Sequence, residues 1–117
     1  MLICNAGIYW FPQLELAEGL EKQFVVNHLG HFILVNRLLD KVKSARQGRI
    51  VVVGSGPYAE APEAGIEFDN LSGQRYYDFR KMYGQSKLAN GLFVRTGLSP
   101  GKNPRDSECA RSRLGHD

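Results

Sequence analysis

The sequence predicts an α/β fold built on a parallel sheet, and three observations carry that prediction. An apolar run from Met1 to Asn5 stops at the turn-forming Asn5-Ala6-Gly7, apolar residues recur at helical spacing from about Ala17 to Gln47, and Ile50-Val51-Val52-Val53 is a β-branched run closed by Gly54-Ser55-Gly56-Pro57. A strand, a helix and a second strand in that order put the two strands parallel, because a helix-length connection returns the chain to the same end of the sheet.

The elements follow in order. Met1 to Asn5 is apolar throughout and reads as a buried strand running into a turn. From about Ala17, Leu20, Phe24, Asn27, His31, Val35, Leu38 and Val42 fall at three- and four-residue steps, which is one face of a long helix. That helix is expected to close near Gln47-Gly48, with Lys41, Lys43 and Arg46 in its last turns, where cations suit the helix dipole. Arg49 to Val53 is apolar on both faces, the pattern of a parallel strand buried on both sides. Residues 56–78 are rich in turn formers and lack periodicity, so a loop with one short element is expected there. Helix returns from Phe79 to about Val94, with Met82, Tyr83, Leu88, Leu92 and Phe93 among its less polar positions. Residues 97–117 combine Gly97, Pro100, Gly101 and Pro104 with dense Arg, Ser and Asp, and no stable fold is expected in them.

Composition narrows the functional classes. The chain has 117 residues, room for one small domain, with 43% hydrophobic and 23% charged residues. Its formal charge of +3 owes much to Arg105, Arg111 and Arg113 near the end, and no basic stripe interleaved with aromatics suggests nucleic-acid binding. No stretch reaches the roughly 20 apolar residues of a membrane span, and the N-terminus lacks the pattern of a signal peptide. Cys4 in an apolar run and Cys109 in a polar tail form no disulfide framework, which fits a reducing, cytoplasmic setting. Asn70-Leu71-Ser72 matches a glycosylation sequon and is read as a chance match. His28 and His31 lie three apart without a third ligand of suitable type, so they are assigned to packing or a surface role, with no metal expected.

The chemistry concentrates in Tyr83-Gly84-Gln85-Ser86-Lys87. A Tyr and a Lys four residues apart share one helical face, and an ammonium beside a phenol favours the phenolate, moving its pKa from about 10 towards the range useful for proton transfer. Ser55 lies just past the carboxyl end of the second strand, the edge where open parallel sheets bind ligands. Asn27 is the polar exception on an apolar helix face, where an amide must be hydrogen-bonded or costs a few kcal/mol, about 1–3 by mutational measure. Taken singly, Ser55 reads as a turn former or helix cap and Asn27 as a satisfied core amide.

In this order, Asn5-Ala6-Gly7, Asn27-His28-Leu29-Gly30-His31-Phe32, Arg49 to Ser55 and Tyr83 to Asn90 (YGQSKLAN) resemble the short-chain dehydrogenase/reductase family. The NHLGHF and SKLAN strings look most like its retinol-dehydrogenase-like branch, which includes WW-domain oxidoreductases. The resemblance covers residues 1 to about 94. It implies a partial Rossmann-like, doubly wound parallel sheet and an NAD(P)-dependent oxidoreductase interconverting an alcohol and a carbonyl. By position, Tyr83 would be the catalytic acid/base, Lys87 would lower its pKa and bind the nicotinamide ribose, and Ser55 would orient the substrate. Asn27 would hold a water in a proton relay, and Asn5, Ala6 and Gly7 would border NAD or NADP near its ribose. Tyr58, Phe68, Tyr76, Tyr77 and Phe79 in and beside the long loop would suit a lipophilic substrate, although loop aromatics more often anchor the loop.

The sequence departs from the family at both ends. The glycine-rich turn that brings a helix N-terminus to the pyrophosphate is not among these residues, and Gly54-Ser55-Gly56 runs instead into Pro57 and a loop. Residues 1–95 are therefore expected to be a partial domain, and 96–117 a non-family tail. Permitted codons for Lys102 to Asp117, shifted by one nucleotide, can spell a family-like strand and turn, so residues from about 96 onward are expected to be a frameshift or mis-spliced product, a point the genomic DNA or transcript around codon 95 decides. The isolated chain is expected to be inactive and to expose sheet edges. It would then be poorly soluble, or would associate with itself, a full-length relative or another protein as a non-catalytic product.

Overall fold

A computed structural model describes residues 1–9, 11–56 and 60–97, of which 96 and 97 are described for the backbone alone. The expectations for Tyr58 and for the tail from residue 98 onward lie outside the described residues.

The predicted parallel pair is present. Strand β1, Leu2–Cys4, pairs in parallel with β4, Ile50–Val52, in the register Leu2 to Ile50, Ile3 to Val51 and Cys4 to Val52. Bonds from Leu2 N to Arg49 O (2.8 Å) and from Val53 N to Cys4 O (3.1 Å) extend the ladder at both ends. Successive side chains of a strand point to opposite faces. One face sends Cys4 and Ile50 into a core with Val35 and Phe93, flanked by Leu2, Leu39, Val42 and Val52. Fully burying a Val, Ile or Phe contributes about 1.5–3 kcal/mol, so this small cluster is the main apolar anchor of the two strands. Cys4 is a free thiol serving as a small hydrophobe, and burial pushes its pKa up.

The opposite face corrects the expectation that the second strand is buried on both sides. Ile3 is 53% exposed, Val51 38% and Val53 36%. No described element packs over them, so a strand written for two apolar faces has only one covered.

The long helix also starts later than expected. Residues 16–21 form an antiparallel pair, β2 (Leu16–Ala17) with β3 (Leu20–Glu21), turned at Glu18 and Gly19, which carry φ of +51° and +78°. Left-handed backbone at two successive residues breaks a helix, and glycine makes the second of them inexpensive. Helical structure then begins at α1, Lys22–Phe24, widens into a π-helical turn at Val25–Leu29, and continues as α2, Gly30–Ser44. Glu21 is the reason for the start. Its fully buried carboxylate accepts from Gln23 N (3.0 Å) and Phe24 N (2.9 Å), satisfying two orphan donors and facing the positive end of the helix dipole. Of the face read from the sequence, Phe24, Asn27, His31 and Val35 are buried, while Leu38 is 37% exposed and Leu39 takes the next inward position.

Among its described residues the loop contains a short 3₁₀ turn, Phe68–Asn70. Asn70 is 2% exposed, donating to Tyr76 O and accepting from Arg75 N, both at 3.0 Å, so its amide is not available as a glycosylation acceptor. Phe68 is 78% exposed and anchors nothing, whereas the Tyr77 hydroxyl donates to Phe11 O at 2.6 Å and ties the loop to the segment before β2. Burial first, and then the charge of Glu21, push the Tyr77 phenol from 10.0 up to about 12. In the window from about 10 to 12 the unfolded chain has lost this proton and the folded chain keeps it, so the stability it contributes is complete below 10 and lost as pH rises through 12. Tyr77→Phe is expected to flatten that alkaline fall in the urea midpoint; an unchanged slope would show that another group causes it.

Helix α3, Phe79–Leu92, starts where the sequence placed it. Asp78 caps it by accepting from Arg80 N (2.9 Å) and Lys81 N (3.3 Å). A second π-helical turn, Phe93–Gly97, follows. No helix among the described residues is long and apolar enough to cross a membrane.

Candidate active site

Of the polar residues singled out in the sequence, Asn27, Tyr83 and Lys87 lie where the end of β1, the π-helical turn and α3 meet. Asn27 sits in the middle of the π-helical turn and is fully buried. Its Oδ1 accepts from Ile8 N at 2.7 Å and its Nδ2 donates to Ile8 O at 2.9 Å, so one amide reads both backbone groups of a single residue. Nδ2 also donates to Ser86 Oγ at 3.1 Å, and the Asn27 carbonyl accepts from Asn90 Nδ2 at 2.8 Å. π-Helical turns inside α-helices are frequent at functional sites, where they re-aim side chains or backbone.

Gly7 brings the first segment into the same place. A Cβ built on it would lie 3.3 Å from Asn27 Oδ1, tight enough to push on the amide, and in ordinary contact with Lys87 Nζ at 3.6 Å. Glycine is therefore what lets the strand end approach the two polar side chains. Asn5 and Ala6, just before it, are exposed.

Lys87 is 8% exposed and points its Nζ at Val53 O, 3.4 Å away, which ties α3 to the strand end that leads to Ser55. Burial pushes the Lys87 ammonium below its ordinary pKa. Its Nζ also lies 5.7 Å from the centroid of the Tyr83 ring one turn back, so the pair shares a helix face as the spacing required. Tyr83 is half-buried, and Tyr9 stacks on it with ring centroids 4.5 Å apart at 52°. Ser55, half-buried, stands two residues beyond Val53. The described hydrogen bonds join Asn27, Gly7's neighbour Ile8 and α3, and none of them includes Ser55.

Two residues of this network escaped the sequence reading. Ser86 and Asn90, 0% and 2% exposed, carry the bonds from α3 to Asn27; Ser86 Oγ also donates to Tyr83 O at 2.7 Å. Their spacing of four on a buried but polar helix face was the available signal. His31 lies four residues after Asn27, is 7% exposed, and its pKa is pushed down by burial and then by the charge of Lys87. His28 bonds through Nδ1 to Asn90 Oδ1 at 3.0 Å and touches the rings of Phe24, Phe32 and Phe93. Both histidines are thus packed, and no group of three metal-ligating side chains occurs among the described residues.

Known proteins resemble this chain over most of its length. The chain is 47% identical over 95 residues to human retinol dehydrogenase 14, a match covering 81% of this chain and 27% of that protein. It is 44% identical over 96 residues to human retinol dehydrogenase 13 and 44% identical over 97 residues to the chloroplastic short-chain dehydrogenase TIC 32 A of Brassica napus. Those matches cover 81% and 79% of this chain, and 28% and 30% of the relatives. The chain belongs to the short-chain dehydrogenase/reductase family. It is retinol dehydrogenase-like within that family of oxidoreductases, and it spans a little under a third of the length of the curated relatives it matches. No family model matches the chain. The family resemblance read from four short motifs therefore stands, and its mixed α/β fold is the one observed, with a parallel strand pair and two long helices.

Proposed function

We propose that residues 1–95 are the catalytic-motif portion of an NAD(P)-dependent short-chain oxidoreductase that interconverts an alcohol and a carbonyl on a lipophilic molecule. In this reading β1 and β4 are two central strands of a doubly wound, Rossmann-like sheet whose glycine-rich first unit is not within the 117 residues. The observation that carries the proposal is the meeting of Gly7, Asn27 and Lys87 within contact distance, although they are separated by 20 and 60 residues of chain.

Tyr83 serves as the acid/base at the substrate oxygen. Lys87, one turn on, supplies the positive charge that stabilises the Tyr83 oxygen during transfer. Ser55, at the carboxyl end of β4, orients the substrate, and Asn27 belongs to the proton relay behind Lys87. The cradle left by Gly7's missing side chain, beside exposed Asn5 and Ala6, fits the ribose end of a dinucleotide, with Lys87 as its hydrogen-bond donor. A nicotinamide cofactor held here would supply the hydride chemistry, and the protein's part would be orientation and proton transfer. Residues 96–117 lie beyond this domain.

Since the pyrophosphate-binding turn is not among these residues, titrating the chain with NADPH or NADH is expected to give no saturable change in nucleotide fluorescence. A saturable change removed by Lys87→Met would contradict the incomplete site and establish binding by this chain alone. A second reading, a non-catalytic product that associates with a relative or another copy, is favoured by the exposed apolar face of Ile3, Val51 and Val53.

A further inference from the structure

Tyr9 has no place in the functional reading above, yet it touches the residue at its centre. Its ring stacks on Tyr83 at 4.5 Å and reaches Phe79 at 6.0 Å, four residues earlier on the same face of α3. Tyr9 is 43% exposed, so one side of the ring faces outward while the other lies on α3. The backbone just before it is held unusually well. Asn27 grips Ile8 at both N–H and C=O, and the same amide is braced by Ser86, whose hydroxyl bonds back to Tyr83 O. A closed circuit results: Tyr83 backbone, Ser86, Asn27, Ile8, Tyr9 and the Tyr83 ring.

We propose that Tyr9 is a positioning residue for Tyr83, and that the grip of Asn27 on Ile8 is what sets Tyr9 in place. A phenol on a helix surface has several accessible rotamers, and proton transfer needs one of them held to within about 0.5 Å. The stacked Tyr9 ring restricts Tyr83 on its outward side, while Lys87 lies on the next turn. Asn27 thereby acts on Tyr83 from two directions, through Ser86 to its backbone and through Ile8 and Tyr9 to its ring. The proposal rests on Tyr83 as the proton donor for its meaning, but its test reads ring protection and needs no turnover.

The test is O-acetylation of Tyr83 by N-acetylimidazole in the full chain, followed by mass spectrometry of the tryptic peptide of residues 82–87, with guanidinium-unfolded chain as reference. Folded chain is expected to react more slowly than unfolded. Tyr9→Ala should raise the folded rate about three- to tenfold, in line with the strength of an aromatic pair, while Tyr9→Phe keeps the wild-type rate. Asn27→Ala should raise it as Tyr9→Ala does, and the two together no further. If Asn27→Ala loses the helical circular dichroism of the wild type, the two Tyr9 variants decide alone. A folded Tyr9→Ala chain reacting at the wild-type rate, or wild type reacting at the unfolded rate, overturns the proposal. Neither outcome bears on whether Tyr83→Phe abolishes catalysis.

Discussion

Tyr83→Phe is expected to lower turnover of the completed domain by about 10²- to 10⁴-fold, the usual contribution of a positioned general acid or base. The substitution keeps the ring that stacks on Tyr9 and the carbonyl that accepts from Ser86, and removes one oxygen. No described hydrogen bond uses that oxygen, so the change should move the urea midpoint by no more than a surface substitution does, about 0.5 kcal/mol. Loss of kcat with little change in KM or stability would mark an interaction made only in the transition state. Equal losses of stability and activity would instead assign Tyr83 to packing.

Gly48→Ala carries the largest expected effect on the fold. Gly48 closes the turn between α2 and β4, and a Cβ there would sit 1.9 Å from Val42 O and 2.8 Å from Val42 C. Both atoms are backbone, and Val42 O also accepts from Ala45 N to close the helix, so neither can swing aside as a long side chain could. The turn must open, at a cost of about 3 kcal/mol, the upper end for overpacking. The damage reaches the site through β4, since Arg49 O and Ile50 pair with Leu2 and, three residues on, Val53 O receives Lys87. Gly91→Ala is the matching control. Its Cβ would meet nothing within 4 Å on an exposed face of α3, and the change is expected to stabilise by about 0.5–1 kcal/mol. Urea unfolding of the two variants checks the contrast, and similar midpoints would refute the close packing at Gly48.

The sequence was most legible where one signal worked alone. β-Branched residues flanked by glycines located β4, and the less polar positions Met82, Tyr83, Leu88, Leu92 and Phe93 located α3. It misled where two signals competed. Leu20 continues the helical spacing perfectly, yet Gly19 beside it takes a positive φ and Glu21 is the cap, so local backbone chemistry ended the helix that periodicity extended. The double-sided apolar pattern of Ile50 to Val53 describes a larger sheet than the one these residues make, which is why Val51 and Val53 are exposed. In the site, Asn27, Tyr83 and Lys87 stood out because each breaks or completes a pattern. Ser86 and Asn90 did not, because a buried polar helix face has no periodic signature of its own until its partners are known. Tyr9 was invisible for a different reason, since its contact with Tyr83 spans 74 residues.

On the proposed reading these residues are the catalytic-motif portion of an oxidoreductase. The most direct measurement of this replaces the matching segment of human retinol dehydrogenase 14 with the 95 residues that are 47% identical to it, and follows retinol-dependent nucleotide reduction by the chimera. The expected result is turnover by the chimera and its loss, by at least about 100-fold, on Tyr83→Phe or Lys87→Met. A folded, nucleotide-binding chimera whose turnover is indifferent to both substitutions would contradict the account.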